Sequence, residues 1–537
     1  MSKKLGTVRV DVNKKNLVRN LGAVYSNANV VLGELLQNAR RAGATRVEVN
    51  HSDSMASLQV LDDGCGISDF QKLLMIAESG WNQEVVDAEQ PYGMGWMATC
   101  FAAERVIVES KGKRMRFKTE DALALQDLEC EESEVSGHTV ITLLGCKLSN
   151  VDIKLRELVQ GFPIPVTYNG AELPRPYALD GGLAFRVTPI GQAYVPALFG
   201  QVKYPSTSCR VFLQGLPVHT ERYSRHDLQN IVHLDSQLFA ARMPDRYQLL
   251  DAEHQEWLID RAMHDHVRAV LKDLAASLPA AEFLERYYPM LLQWGAREIL
   301  NDVPLLPQGV LTVFDEYPVL KGDGSNKNFY EGEPVSRAQV ESGAVRLYAC
   351  QDLDEENVLA CMYAWKRGLL LVSTGVFDQA HWVHAYVTDL ESMQFDLETV
   401  KPGATTTIHV GSSDSMCTCE SYVVHCTDGA AKFDDAAIYH PDGKFYVPAG
   451  CKDAGVLGQA DTFCDGDEVY REEWERDAVR QFRALLAMLR GGNAAKTMAL
   501  VLEDCRFGDY PNIVGTTFLV SVSTRGRIKV TLASNAE

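Results

Sequence analysis

Through residues 28–42 the apolar positions recur at helical spacing. Val31, Leu35, Ala39 and Ala42 fall on one side, and Glu34, Asn38 and Arg41 on another. Steps of four and three residues put each set on a single helix face, so one side can pack on a sheet while the other carries chemistry. The period then shortens. Thr45 to His51 and Ser57 to Leu61 alternate as strands and are expected to form a hairpin. Residues 67–92 read as a helix followed by a polar loop, and Trp96 to Ala103 is an apolar helical run. Val106 to Glu109, Arg114 to Lys118 and Thr139 to Leu144 are expected to complete the sheet. Thr7 to Val12 is a further strand-like run near the start.

A second region spans residues 151–278. Asp152 to Gln160 has a short helical pattern, Asn169-Gly170 is a hairpin-turn signal, and Arg210 to Val218 reads as another hairpin arm. The stretch Phe239 to Tyr247 leads into a long helix predicted over Ala252 to Ala275. Residues 279–537 are mixed as well. Strand-like runs occur at Val310 to Phe314, Val345 to Ala349 and Leu369 to Val372. Asp442-Gly443 marks a hairpin, and Phe518 to Leu532 another that turns near Arg525-Gly526. Glu472 to Leu489 is an amphipathic helix with Val479, Phe482, Leu485, Leu486 and Leu489 on its apolar stripe. The pattern gives a mixed α/β (α+β) class in three parts: 1–150, 151–278 and 279–537.

Composition narrows the function classes. The chain has 537 residues, 46% of them hydrophobic, enough for several cores. A net charge of -20 disfavours DNA as a partner, a local basic groove aside. No apolar run approaches ~18 residues, so no membrane insertion is expected. The Met1 to Leu5 start has no apolar core, so no signal peptide is expected either. The 13 scattered cysteines fit a reducing cytoplasm better than a disulfide framework. Cys417-x-Cys419 with His425-Cys426 lacks the second cysteine pair of a zinc site, and His381-x-x-His384 lacks the zincin Glu. No G-x-x-x-x-G-K-[ST] loop occurs.

The chemistry concentrates between Glu34 and Gly95. Glu34 and Asn38 are one turn apart. Mg²⁺ keeps several waters and takes few protein oxygens, so Asn38 can supply a ligand while Glu34 deprotonates an attacking water. Asp62 ends a strand and is followed by Gly64 and Gly66. Its carboxylate can accept from the exocyclic amine of a base, and the glycines let a flat ring approach the backbone. Gly93 and Gly95 open a helix, where free N–H groups favour an anion. Each motif alone has a plainer reading: a solvated helix face, an Asp-Gly turn, a packed glycine loop. Together, in this order, they read as a nucleotide pocket.

This order resembles the GHKL ATPases, which include gyrase-type topoisomerases, ninety-kilodalton heat-shock chaperones, histidine kinases and MutL proteins. Glu34-x-x-x-Asn38 matches the N-box, Asp62-x-Gly64-x-Gly66 the adenine box, and Gly93-x-Gly95 the lid-closing glycine box. Arg41 to Val49 is similar to the MutL run, and Gly95 to Ser110 to the chaperone version. The resemblance covers residues 1–150 and implies a Bergerat-type α/β sandwich binding ATP with Mg²⁺. The expected base is Glu34 and the expected metal ligand Asn38. The nucleotide contacts it implies are Asn38, Arg41, Asp62, Gly64, Gly66, Ile67, Gly93, Met94, Gly95, Trp96 and Thr139. Residues 151–278 are similar in layout to a transducer domain, whose cation would meet the γ-phosphate.

The segment Gly80 to Gly95 has no Lys or Arg. Arg242 is therefore the expected transducer cation, with Lys203 and Arg246 next. Two departures stand out. Arg41 replaces the acidic residue usual in MutL and the chaperones, and reads either as a phosphate contact or as a surface Arg. His138 follows Gly137 where relatives carry Thr, leaving the hydroxyl's role to Thr139. No phosphoacceptor His precedes the ATPase boxes, and no MutL-type endonuclease signature occurs. The resemblance implies an ATPase acting on an unidentified protein client, with dimerisation through the ATPase domain open. The rival readings are an ATP sensor without turnover and a GHKL-type protein kinase.

Overall fold

The computed structural model describes every residue except 1–8, 10–12, 26, 77–80, 82–92, 94, 201–203, 219–228, 243–245, 321–325, 355, 411, 461–462, 464–468, 504–507, 509 and 534–537. Most of the polar loop expected within residues 67–92, most of Thr7 to Val12, Met94 and Lys203 therefore lie outside the described residues. Helix α1 (Lys14–Val24) starts where the Asn13 side chain accepts the Asn16 N–H at 3.1 Å. Its neighbour α2 (Val30–Arg41) realises the helical spacing noted above, with Val31, Leu35 and Ala39 buried.

Strands β1 (Val47–Ser52) and β2 (Ser57–Asp62) form the expected antiparallel hairpin, with Val47 opposite Asp62. After the short α3 (Phe70–Leu74) and α4 (Gly95–Ala102) come β3 (Arg105–Ser110) and β4 (Lys113–Lys118). Then follow α5 (Thr119–Leu123), β5 (Cys130–Glu132), β6 (Thr139–Leu144) and α6 (Val151–Leu158). The Asn169-Gly170 turn joins β7 (Val166–Tyr168) to β8 (Ala171–Glu172). Strand β7 pairs parallel to β1, so the first sheet continues past residue 150. Its order is β5-β4-β3-β6-β2-β1-β7-β8. Alternate residues Val47, Val49, Leu58, Val60, Val106, Val108 and Leu143 share a core with α2, α4 and α6. The result is an α/β sandwich.

A second sheet has the order β12-β11-β13-β10-β9. It is built from β9 (Arg186–Thr188), β10 (Gly191–Tyr194), β11 (Cys209–Leu213), β12 (Leu216–Val218) and β13 (Asn230–Leu234). Strands β11 and β13 run parallel, and the other pairs are antiparallel. The long helix is α7 (Ala252–Ser277), which buries Ile259, Met263, Val267 and Leu271, and α8 (Ala280–Gln293) follows. Leu216, in the β12 arm of the β11–β12 hairpin, belongs to the core of the first sheet, so the two layers meet at α2. There a Cβ on Gly33 would touch Leu216 at 3.8 Å, and Gln37 Nε2 donates to the Gln214 carbonyl at 3.2 Å.

These layers make one compact unit, Met1–Ile299, and Leu300–Glu537 makes another. The second unit holds a sheet of β14 (Leu311–Val313), β15 (Asn328–Phe329), β16 (Leu347–Ala349), β17 (Leu371–Val372) and β18 (Val387–Asp389). Helices α9 (Arg337–Glu341) and α10 (Val358–Arg367) lie between these strands in sequence. A further sheet contains β19 (Asp396–Val410), β20 (Ser412–Cys426), β21 (Gly429–Phe433), β22 (Ile438–His440) and β23 (Lys444–Pro448). Helix α11 (Glu472–Gly491) buries Phe482 and Leu486 against Ile408, Met416 and Phe445. Helix α12 (Ala494–Glu503) and the hairpin β24 (Phe518–Val522) with β25 (Ile528–Leu532) close the chain order.

Candidate active site

Glu34 sits in the middle of α2 with only 2% of its surface exposed. A buried carboxylate needs a partner, since desolvation otherwise forces it to take up a proton. Arg246 is that partner, with Nε 2.5 Å from Glu34 Oε1 and its side chain 11% exposed. The other carboxylate oxygen lies against the start of α4. A Cβ built on Gly95 would fall 2.0 Å from Glu34 Oε2, so only glycine lets the helix approach this closely. Tyr25 lies in the same electrostatic neighbourhood and stacks on Phe101 at 5.6 Å. Burial pushes its phenol up to about 12; the Glu34 carboxylate adds to the rise and Arg246 opposes it.

Arg246 reaches Glu34 from a loop of the second layer. Arg242 N–H donates to the Gln248 carbonyl at 2.7 Å, Arg246 N–H donates to the Arg242 carbonyl at 3.0 Å, and Ala241 bridges Leu249. Arg246 itself has φ +56°, a left-handed conformation that costs a non-glycine residue energy and requires surrounding support. Arg242 is exposed on this loop. The guanidinium brought to Glu34 is thus that of Arg246, inside a backbone closure between Arg242 and Gln248 that a one-dimensional reading does not reveal.

The other end of the site is polar. Asp62 lies opposite Thr139 across the β2–β6 pair, and its Oδ1 accepts the Gly64 N–H at 3.0 Å. Burial raises the Asp62 carboxyl above its usual range. The Gly64 N–H lowers it, the Asp63 charge raises it, and His138 lowers it. Thr139 Oγ1 and Ser110 Oγ are 3.1 Å apart, and Ser110 Oγ accepts the Ile67 N–H at 3.0 Å. His138 is exposed while Thr139 is buried, so of these two it is Thr139 that joins Ser110 in this network. Sequence reasoning missed Ser110 as a site residue, because only the β3–β6 register places it opposite Thr139.

The glycines of this end have separate physical roles. A Cβ on Gly64 would lie 2.6 Å from Ala42 Cβ and 2.8 Å from its carbonyl oxygen. Gly66 has φ +74°, which turns the chain away from β2. Asp63 fixes the loop entering β1 by accepting the Thr45 N–H at 2.7 Å, the Thr45 hydroxyl at 2.5 Å and the Arg46 N–H at 3.1 Å. The Thr45 hydroxyl is the main reason the Asp63 carboxyl falls to about 2.

The remaining expected residues are placed as follows. Asn38 is partly buried one turn beyond Glu34, and Arg41 is partly buried at the end of α2. Ile67 and Gly93 are partly exposed, and Trp96 is buried in α4. The described residues thus bring Glu34, Gly95 and Arg246 together at one end, and Asp62, Gly64, Ile67, Ser110 and Thr139 at the other.

Residues 25–142 match the family described as histidine kinase-, DNA gyrase B-, and HSP90-like ATPases. That span contains every expected site residue except Arg242. Comparison with curated proteins gives no match.

Gly95→Ala should leave the fold intact, since Ala is a better helix former than Gly. It should nevertheless displace the Glu34 carboxylate. Nucleotide turnover is expected to fall by roughly a hundredfold with the melting temperature little changed, the size of effect that small misplacements of a reacting group produce. Steady-state kinetics beside thermal denaturation checks both halves; wild-type turnover would show that the close approach is not needed.

Proposed function

We propose that this chain, whose residues 25–142 belong to the GHKL ATPase family, hydrolyses ATP and uses the cycle to rearrange the second layer for action on a protein client. The single observation that carries this reading is the buried Glu34 held between Gly95 and a cation of the second layer. A module that only senses ATP has no need of a buried general base. Acidity of the chain weighs against DNA as the client.

In this reading Asp62 accepts from the exocyclic amine of adenine, with Thr139 and Ser110 beside it and Gly64 and Gly66 giving the ring access. The phosphates lie toward the start of α4, whose first N–H groups favour an anion. Gly93, Gly95 and Trp96 border them, and Arg41, at the end of α2, is assigned to them as a phosphate contact. The donor chemistry fits Mg²⁺: Asn38 offers an amide oxygen one turn from Glu34, and a magnesium ion needs few protein ligands when phosphates supply the rest. Bound there, the ion would supply charge neutralisation for the phosphates. Glu34 holds a water and takes its proton as that water attacks the terminal phosphorus.

Arg246 gives the cycle its coupling. While its guanidinium is paired with Glu34, one oxygen of the base is engaged and the other is packed on Gly95. A triphosphate offers the guanidinium a more highly charged, bidentate partner. Moving Arg246 to it frees the base and pulls on the loop that ends at α7. Hydrolysis removes that partner and lets the resting pair reform. The same chain in a dimer through the ATPase domain remains part of this proposal, with its oligomeric state to be measured alongside turnover.

Three outcomes follow from the site. Glu34→Ala should keep ATP binding in calorimetry and lose turnover by roughly a hundredfold or more; unchanged turnover would sink the hydrolase reading and leave the sensor.

The Asp62 carboxyl is raised by burial, and its ionised form is the stronger acceptor for the amine, so nucleotide binding favours release of its proton as pH falls into the raised range. Affinity for ATP should therefore weaken as pH drops from neutral toward the region just above the ordinary carboxylate range. Asp62→Asn should be weak and flat with pH, and an equally steep profile in that variant would move the base elsewhere.

Arg246→Ala leaves a buried carboxylate unpaired, at a cost of about 3–5 kcal/mol unless the carboxyl protonates. Its more specific effect is on nucleotide choice. The preference for ATP over ADP should shrink about tenfold, the worth of one charge-assisted phosphate contact. Calorimetry with both nucleotides checks the ratio, which a general loss of stability would leave unchanged.

A further inference from the structure

The Leu300–Glu537 unit contains a pair of thiols whose sulfurs are 3.7 Å apart. Cys350 directly follows β16 and is partly exposed, whereas Cys361 lies inside α10 and is fully buried. Cys361 Sγ also lies 3.5 Å from Asn357 Oδ1 at the start of that helix. Lys327 sits beside Cys350. Its ammonium donates to the Cys350 carbonyl at 2.6 Å, pairs with Asp352 at 2.9 Å, and is only 13% exposed. A cation and a neighbouring S–H donor both favour a thiolate.

We propose that Cys350 and Cys361 form an oxidant-sensitive dithiol, a modification site whose co-substrate is a hydroperoxide. The accessible member has the activated sulfur. The Cys361 S–H and the Lys327 charge hold the Cys350 thiol below its usual range, against burial, while the Cys350 sulfur and burial push the Cys361 thiol far up. Cys350 is therefore the nucleophile and Cys361 the resolving thiol. A disulfide bond is about 2.0 Å long, so closure asks each sulfur to move by about 1 Å.

The atoms balance in two steps. The Cys350 thiolate attacks the distal peroxide oxygen, the O–O bond breaks, and the leaving oxide takes a proton; Cys350 becomes a sulfenic acid. Cys361 then loses its proton as its sulfur attacks Cys350 Sγ, the S–O bond breaks, and hydroxide leaves as water. In sum, two thiols and hydrogen peroxide give one disulfide and two waters. The bond ties the end of β16 to α10, and a dithiol reductant reverses it. The proposal stands apart from the ATPase reading, because both thiols and Lys327 lie outside residues 25–142.

The sequence allows a clean test in the full chain. Trypsin cuts after Arg346 and Lys366, and the peptide between them holds both cysteines and no third. Reduced protein is exposed to hydrogen peroxide, denatured, alkylated and digested. The expected result is that this peptide loses two hydrogens and takes no alkyl group, and that dithiothreitol restores both alkylation sites. Cys361→Ser should stop the reaction at Cys350, where dimedone captures the sulfenic acid. Lys327→Gln should slow the first step by roughly tenfold, the thiolate change that one unit of pKa produces. If both thiols stay alkylatable while other cysteines oxidise, or if dimedone labels Cys361 instead of Cys350 in wild-type protein, the proposal is overturned.

Discussion

The buried charge of Glu34 constrains the whole Met1–Ile299 unit. A carboxylate 2% exposed in the middle of α2 calls for a compensating cation beside it. That cation comes from more than two hundred residues further along, on a loop of a different sheet. To deliver it, the β11–β12 hairpin must seat Leu216 in the first core and bring the Gln214 carbonyl to Gln37. The turn Gln214-Gly215 has positive φ at both residues, and a Cβ on Gly215 would fall 2.5 Å from Pro163 Cδ. Packing, turn geometry and electrostatics therefore agree on one position of the second layer against α2.

The two ends of the site solve opposite problems. Around Glu34, charge is matched by charge in a dry setting. Around Asp62, the carboxyl is raised toward its neutral form and surrounded by hydroxyl and amide groups. An elongated ligand with a flat hydrogen-bonding head and an anionic tail fits such a gradient better than a uniformly polar one. Glycine marks both ends for the same reason: at Gly64 and Gly95 any side chain would occupy space that the backbone or a carboxylate already takes.

The Leu300–Glu537 unit follows different rules. Its largest ladder, β19 with β20, carries many polar side chains and shifts register between Pro402 and Thr405. One core joins α10 to the lower part of that ladder through Tyr363, Tyr422 and Phe433, and another joins its far part to α11. Chemistry there is set by proximity: a thiol pair and a lysine meet at the end of β16.

Much of the first layer was legible in the sequence. The helical spacing on α2, the β1–β2 hairpin, the carboxylate at the end of β2 and the glycines at the start of α4 are all local patterns, fixed by a helical or strand period and by steric rules that act within a few residues. The same holds for the β22–β23 hairpin, the long helix α7 and the amphipathic α11. The β19–β20 ladder was not legible, because Pro402, Gly403 and exposed threonines hide the period of a strand whose neighbours supply its stability. Ser110 could not be found without the register that sets it opposite Thr139. Sequence placed Arg242 ahead of Lys203 and Arg246 as the transducer cation and held no sign that Arg246 pairs with Glu34. That pairing belongs to tertiary structure, since a closed loop with a left-handed residue directs the Arg246 side chain to the buried carboxylate.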